Sequence, residues 1–211
     1  NIAVTGTVVN IPGAAGGIYQ TGAITARSGT NISFTSNNDI DQNGAISLVA
    51  NTSGPVANIS YDTTTGDKTS RVSAAAVTIA AGTSTSAINY LVKTNGAAIS
   101  VPAITVPGYI LLDNSCLGCA TRATPTTAAV NGAAITITGA LSAGTLASTT
   151  GVTINSVANG TGIGFTQGAN AISSLAGGVT IATNSQAGAG YSSSGNTTAT
   201  GQAITITGTT S

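Results

Sequence analysis

Charge is nearly absent from this chain of 211 residues: 5% of the residues are charged, against roughly 25% in an ordinary soluble domain. Five basic and five acidic residues cancel, and histidine, methionine and tryptophan do not occur. A nucleic-acid-binding surface needs clustered Lys and Arg, so nucleic acid is excluded as a partner. The lack of histidine removes the usual base of serine catalysis, and we expect no enzymatic activity.

Long apolar runs are also missing. Gly, Ser, Thr and Asn interrupt the apolar stretches before they reach the ~18 residues of a membrane-spanning helix, so we expect no membrane span. Thr, Val, Ile, Ser and Gly are abundant, whereas the strong helix formers Leu, Lys and Arg are scarce. The composition therefore predicts an all-β protein.

A short phrase of Ala, Ile and a hydroxyl residue recurs, and apolar and polar residues alternate within it. This period of two predicts strands with one buried face. Copies lie at residues 22–25, 44–47, 96–100, 132–136 and 201–205, with looser copies at 86–89 and 170–173. Further strands are predicted around residues 32–34, 59–61, 77–79, 152–154 and 179–181.

Short strands without helices are compatible with a β-solenoid or an antiparallel β-sandwich. The recurring phrase and the slim aliphatic side chains favour a parallel β-helix, with the antiparallel β-sandwich as the alternative. The interval from Ile24 to Ile46 suggests one rung. Rungs of about 20 residues predict about ten rungs and a rod near ~50 Å.

Two regions depart from this pattern. We expect solenoid rungs over residues 1–101 and 126–211, with a charged exposed loop at 61–71. Residues 102–125 are richer in proline, contain both cysteines, and are predicted to form an irregular excursion, with a seam between two subdomains as the alternative.

The cysteines, Cys116 and Cys119, are three residues apart. A zinc site needs two further ligands, and a haem attachment motif needs histidine where Ala120 stands. We predict a structural disulfide, with free thiols or cross-chain pairing as the alternatives, and an extracellular or cell-surface location.

A calcium loop is the sharpest candidate for ligand chemistry. Asp39, Asp41 and Asn43 fit the first half of the D-x-D-x-N-G motif, but Ala50 stands where the bidentate Glu belongs. The favoured interpretation is a polar segment with Ile40 inward and both Asp outward, and no cofactor is expected.

Three weaker patterns remain. Paired aspartates would suit a polysaccharide-cleaving enzyme, and Thr-x-Thr at residues 136–138 and 205–207 would suit a flat ice-binding face. Glycosylation sequons begin at Asn31, Asn51, Asn58, Asn159 and Asn196.

Residues 23–40 and 43–48 resemble the repeat region of filamentous-haemagglutinin-type adhesins. This resemblance to large bacterial proteins exported by two-partner secretion implies a right-handed parallel β-helix. It also implies a surface location and no catalytic residues.

Two hypotheses follow. The first is a structural or adhesive segment of an extracellular bacterial surface protein, whose partners are neighbouring parts of a longer chain and a host or surface ligand. The second is a subunit of a self-assembling extracellular filament, in which copies stack end to end or exchange strands. Residues 2–8 alternate and would suit a donor strand.

Overall fold

The computed structural model describes residues 2–6, 17–27, 30–49, 57–66, 69–79, 88–117, 119, 123–124, 127–128, 133–144 and 150–210. Within these ranges the chain forms 22 strands and no helix. In chain order the strands are β1 (Ile2–Gly6), β2 (Gly17–Gln20), β3 (Ile24–Arg27), β4 (Ile32–Ser36), β5 (Asp39–Gln42), β6 (Ile46–Val49), β7 (Ala57–Asp62), β8 (Val72–Ser73), β9 (Val77–Ile79), β10 (Ile88–Lys93), β11 (Ile99–Val101), β12 (Ile104–Val106), β13 (Ile110–Asp113), β14 (Ile135–Ile137), β15 (Leu141–Ala143), β16 (Thr150–Ala158), β17 (Phe165–Gly168), β18 (Ile172–Ser174), β19 (Gly178–Ser185), β20 (Tyr191–Ser193), β21 (Thr197–Ala199) and β22 (Ile204–Thr210).

The strands form three sheets, and consecutive strands belong to different sheets. Sheet A has the order β1-β4-β7-β10-β13-β16-β19-β22, sheet B the order β2-β5-β8-β11-β14-β17-β20, and sheet C the order β3-β6-β9-β12-β15-β18-β21. Adjacent strands pair in parallel in all three sheets. The fold is therefore a parallel β-helix, as predicted, and the antiparallel sandwich is wrong.

One rung is a pass of the chain through sheets A, B and C, and the described strands form seven rungs plus one further strand in sheet A. Eight strands at ~4.8 Å spacing place β1 and β22 about 34 Å apart. The prediction of ten rungs and 50 Å was too large because most of the described rungs are longer than 20 residues. The register advances by 20 residues from Tyr90 to Ile110, but by 42 from Ile110 to Val152.

Side chains that alternate inward along the strands form continuous aliphatic ladders. Ile32 of sheet A, Ile40 of sheet B and Ile46 of sheet C are all fully buried and belong to one core. Burial of this apolar surface is the main favourable term in the folding free energy. Phe34 and Tyr61 stack within the core, with ring centroids 4.9 Å apart.

The recurring phrases are confirmed as strands, but they do not mark one position per rung. The identical copies at residues 134–139 and 203–208 contain β14 of sheet B and the first five residues of β22 of sheet A, respectively. The interval from Ile24 to Ile46 is one rung, since these residues pair in sheet C. Intervals between phrases vary because each phrase marks a strand start in any of the three sheets.

Residues 102–125 are not irregular throughout. β12 pairs with β15, and β13 pairs in full register with β10 and β16. Pro102 and Pro107 lie just outside β12, where a missing N–H breaks no ladder. The long insertion instead lies between β13 and β14, at residues 114–134. The predicted loop at 61–71 is likewise shorter, since Tyr61 and Asp62 belong to β7 and Tyr61 is buried.

Candidate functional site

The proposed calcium ligands lie on and beside β5. Ile40 is fully buried and its neighbours Asp39 and Asp41 point outward, as the favoured interpretation predicted. Arg71, one rung further along, places Nε 3.2 Å from Oδ2 of Asp39 and a terminal nitrogen 3.2 Å from Oδ2 of Asp41. The guanidinium therefore occupies the position between the carboxylates that a metal ion would need.

Asn43 is exposed and its backbone N–H donates to the carbonyl of Gln20 at 2.8 Å. Among the residues that the structure describes, no group of three or more His, Cys, Asp or Glu side chains could hold a metal ion. The carboxylates beside Asn43 act instead as partners of Arg71.

The remaining described aspartates also make bonds within their own turns. Asp62 accepts hydrogen bonds from the N–H and the hydroxyl of Thr64, at 2.8 and 2.6 Å. Asp113 is buried and accepts from the N–H and hydroxyl of Ser115 and the N–H of Leu117, at 2.7 to 2.9 Å. Asp67 and Lys68 lie outside the described residues. The carboxylates of Asp62 and Asp113 thus shape turns at the end of sheet A strands.

Cys116 and Cys119 form a disulfide with Cα atoms 5.5 Å apart. Cys116 has a φ of 52°, an uncommon conformation for a residue with a side chain, and it directly follows the turn that Asp113 closes. The disulfide therefore lies at the start of the insertion and fixes the path by which the chain leaves sheet A.

The insertion packs on the outer face of sheet A. Ala123 and Ala128 bury Val157 of β16 in a small separate cluster. The side-chain amide of Asn114 donates to the carbonyl of Val157 at 2.9 Å and accepts its N–H at 2.8 Å. These contacts attach the start of the insertion to β16. Three residues of β16, Asn155, Ser156 and Val157, line an open groove beside it.

This groove, of about 350 Å³, lies between the insertion and the outer face of β16, β19 and β22. Its floor includes Asn155, Asn184 and Thr207, and its wall includes Thr124. A neighbouring groove of about 380 Å³ shares Asn155 and has Lys93 at its border. The lining of the first groove consists mainly of neutral amide, hydroxyl and methyl groups, which suits a neutral hydroxylated ligand better than a charged one. The second groove also contains Lys93 and Asp113.

The Thr-x-Thr segments do not combine into one face. Thr136 lies in β14 of sheet B, whereas Thr205 and Thr207 lie in β22 of sheet A. The single flat ice-binding face that the two copies suggested is therefore not formed by them.

β22, the last described strand of sheet A, carries exposed apolar side chains. Ile204 and Ile206 are 43% and 46% exposed, although Val179 and Ile181, their register partners in β19, are fully buried. Both isoleucines continue the core ladders of sheet A, and no other strand among the described residues covers them.

The sequence does not predict an asparagine ladder that lies at the start of three neighbouring strands of sheet A, β4, β7 and β10. Oδ1 of Asn31 accepts the N–H of Asn58, Oδ1 of Asn58 accepts the side-chain amide of Asn89, and Oδ1 of Asn89 accepts the N–H of Tyr109. The sequence signal for this ladder is the shared pattern Asn-Ile-Ser-aromatic at residues 31–34 and 58–61, in which each Asn also begins a glycosylation sequon.

No family model matches the chain, and neither the curated proteins nor the solved structures contain a significant match. The described part of the chain has no helix with the length and hydropathy that a membrane crossing requires.

Proposed function

We propose that this chain is a non-catalytic structural segment of an extracellular bacterial surface protein, resembling the repeat regions of filamentous-haemagglutinin-type adhesins. The observation that carries the proposal is the aliphatic core, which continues through the rungs from Ile18 to Ile181. A repeated aliphatic core of this kind makes a stiff body whose stability is a sum over neighbouring rungs. The disulfide supports an oxidising location outside the cell.

In this proposal the groove beside the insertion is the adhesive surface, and a neutral polysaccharide is its ligand. Purified chain is incubated with immobilised neutral polysaccharides, and retained protein and released reducing ends are measured. We expect retention without release, and a loss of retention in Asn155→Ala, because Asn155 borders both grooves. Ser142→Ala on the outer face of sheet C is the matched control. Released reducing ends, or no retention on any surface, would contradict the proposal.

A filament subunit is the second candidate, and the exposed core positions Ile204 and Ile206 favour it. An open edge strand is a template for pairing with another chain. After Arg122 the chain contains no charged residue, so like-charge repulsion does not oppose contact at this end. Negative-stain microscopy tests this candidate: ordered fibres with a fixed axial repeat support it, and dispersed particles at high concentration reject it.

A further inference from the structure

One column of outward side chains on sheet A changes its chemical character at two adjacent strands. Leu91 of β10 and Leu111 of β13 lie in this column, where the neighbouring strands carry hydroxyl residues. The column consists of residues that lie directly opposite one another in successive strands, namely Ser33, Ser60, Leu91, Leu111, Thr153, Thr180 and Thr205. An apolar patch therefore interrupts the hydroxyl surface at β10 and β13.

The second groove, of about 380 Å³, lies over this patch. It is lined by Tyr109 and Leu111 and by Leu117 of the insertion, which is 55% exposed. Five of the seven aromatic side chains lie in or against the main core, and Tyr109 is one of the two that do not. Tyr109, Leu111 and Leu117 thus form an apolar platform on the outer face of sheet A.

The charged residues of the second groove balance each other. Lys93 and Asp113 lie directly opposite each other in the register of β10 and β13, and their charges have opposite signs. The lining of the first groove contains no charged residue. Because complementary charge favours a binding partner, two grooves without net charge favour a neutral ligand over an anion or a cation.

The two grooves meet at Asn155, which lines both of them. The outward residues that line them come from five consecutive strands of sheet A, from β10 to β22. The insertion lines both grooves as well, through Leu117 in the second and Thr124 in the first. Four strand spacings give the combined surface a length of about 19 Å along the axis of the β-helix.

A sugar chain matches both halves of this surface. Each sugar ring presents C–H groups on its faces, which pack on aromatic and aliphatic side chains, and hydroxyl groups at its edges. Amide and hydroxyl side chains such as Asn155, Asn184 and Thr207 can donate to and accept from those hydroxyl groups. A single sugar is too short to reach both halves, whereas a chain of several linked sugars can do so.

We propose that the two grooves form one site for an extended neutral oligosaccharide. One sugar ring packs on Tyr109, and the chain continues past Asn155 to Asn184. This inference rests on the proposed adhesive function and specifies how the ligand lies and which residue anchors it. It predicts that affinity rises with the length of the ligand and that one ligand binds per chain.

Calorimetry with di-, tetra- and hexasaccharides of cellulose, mannan and amylose tests the single site, with the same three polysaccharides as immobilised surfaces. The hexasaccharide of a retaining polysaccharide should bind at least tenfold more tightly than its disaccharide, with one molecule per chain. Tyr109→Ala and Asn184→Ala should each weaken hexasaccharide binding at least tenfold, because one ligand contacts both ends. Two molecules per chain, equal affinities at all lengths, or a loss in only one of these variants overturns the single site.

Matched variants separate packing on the ring from a loss of fold. Tyr109→Phe keeps the ring and should bind the hexasaccharide within threefold of the unchanged chain. Leu111→Thr, which introduces the residue type that Thr153 provides in the same column, should weaken binding at least fivefold and keep the melting temperature within a few degrees. Tyr19→Ala, at the other aromatic residue outside the core, should not change the affinity.

The outcomes also separate this inference from the proposed function. Equal affinities of the Tyr109→Ala and Tyr19→Ala variants, or retention on a polysaccharide whose hexasaccharide does not bind, would overturn the extended site and leave the adhesive function standing. A chain that none of the three polysaccharides retains would contradict the adhesive function itself.

Discussion

The hydroxyl of Tyr61 donates a hydrogen bond to Oε1 of Gln42 at 2.5 Å, which joins sheet A of one rung to sheet B of the rung before it. The same oxygen accepts the N–H of Ala75 at 3.0 Å, and Nε2 of Gln42 donates to the carbonyl of Gly44. Gln42 is 1% exposed, so its amide is satisfied entirely within the protein. A buried amide of this kind fixes how adjacent rungs are aligned, since it bonds to groups in three strands or turns at once.

Gln42→Leu should lower the free energy of unfolding by about 2 to 4 kcal/mol, because it leaves the Tyr61 hydroxyl and the Ala75 N–H buried without a partner. Tyr61→Phe should cost about 1 kcal/mol, because Gln42 keeps its other bonds. Urea unfolding measures both. Gln202→Leu, at an exposed position, should change the free energy of unfolding by less than about 0.5 kcal/mol.

The double variant checks the interpretation. With Phe at position 61, no buried hydroxyl is left without a hydrogen-bond partner. Gln42→Leu combined with Tyr61→Phe should therefore lower the free energy of unfolding by less than the sum of the single changes. Strictly additive costs would show that the Tyr61–Gln42 bond contributes nothing to the alignment.

Alkaline pH should destabilise the fold through two buried phenols. Burial raises the pKa of Tyr61 and of Tyr90, and the neighbouring Tyr61 raises that of Tyr90 further. Phenols in the unfolded chain ionise near pH 10, so the folded chain retains protons that the unfolded chain releases. The stability contribution is therefore constant below pH 10 and decreases as pH rises towards the folded pKa values, by about 1.4 kcal/mol per pH unit for each phenol.

Unfolding measured from pH 9 to 11.5 tests this expectation. Tyr90→Phe should halve the decrease in the free energy of unfolding over this pH range, because one of the two phenols is removed. Tyr19→Phe, where the side chain is 74% exposed, should leave the decrease unchanged. A stability that does not depend on pH above 10 would contradict the burial of the two hydroxyls.

Calcium should not bind at Asp39 and Asp41. Titration calorimetry at millimolar calcium is expected to give no heat, and the melting temperature should not rise, because Arg71 already compensates both carboxylates. Arg71→Ala should cost about 0.5 to 1 kcal/mol, and less at high salt, since the ion pairs are partly exposed. A calcium-dependent rise in melting temperature of the unchanged chain would reject this account.

The strands could be predicted from sequence because alternation of Ile or Val with Ser or Thr is a local signal. The position of each strand within the β-helix could not be predicted from the sequence. The segments at residues 134–139 and 203–208 are identical, yet they occupy sheets B and A, since period two reports a buried face and does not identify the sheet. Arg71 compensates Asp41 from 30 residues away, and this contact becomes visible only when the register is known.

The resistance of the Cys116–Cys119 disulfide to reduction should depend on the turn that precedes it. Asp113 accepts three hydrogen bonds from Ser115 and Leu117, the two residues that flank Cys116. Asp62, two strands away in sheet A, makes the same kind of turn with Thr64 but has no cysteine beside it. The two aspartates therefore form a matched pair for testing what the turn contributes to the insertion.

Asp113→Ala should accelerate reduction of the Cys116–Cys119 disulfide by dithiothreitol about tenfold, because a loss of about 1.4 kcal/mol of local order exposes the sulfurs ten times as often. Asp62→Ala should leave the rate unchanged while changing global stability by a similar amount. The rate is followed by the mass increase on alkylation of released thiols. Equal rates in both variants would mean that the β-helix, and not the Asp113 turn, protects the disulfide. Reduction itself should cost at most about 2 kcal/mol of stability, because the bond closes a ring of only a few residues and lies outside the main core.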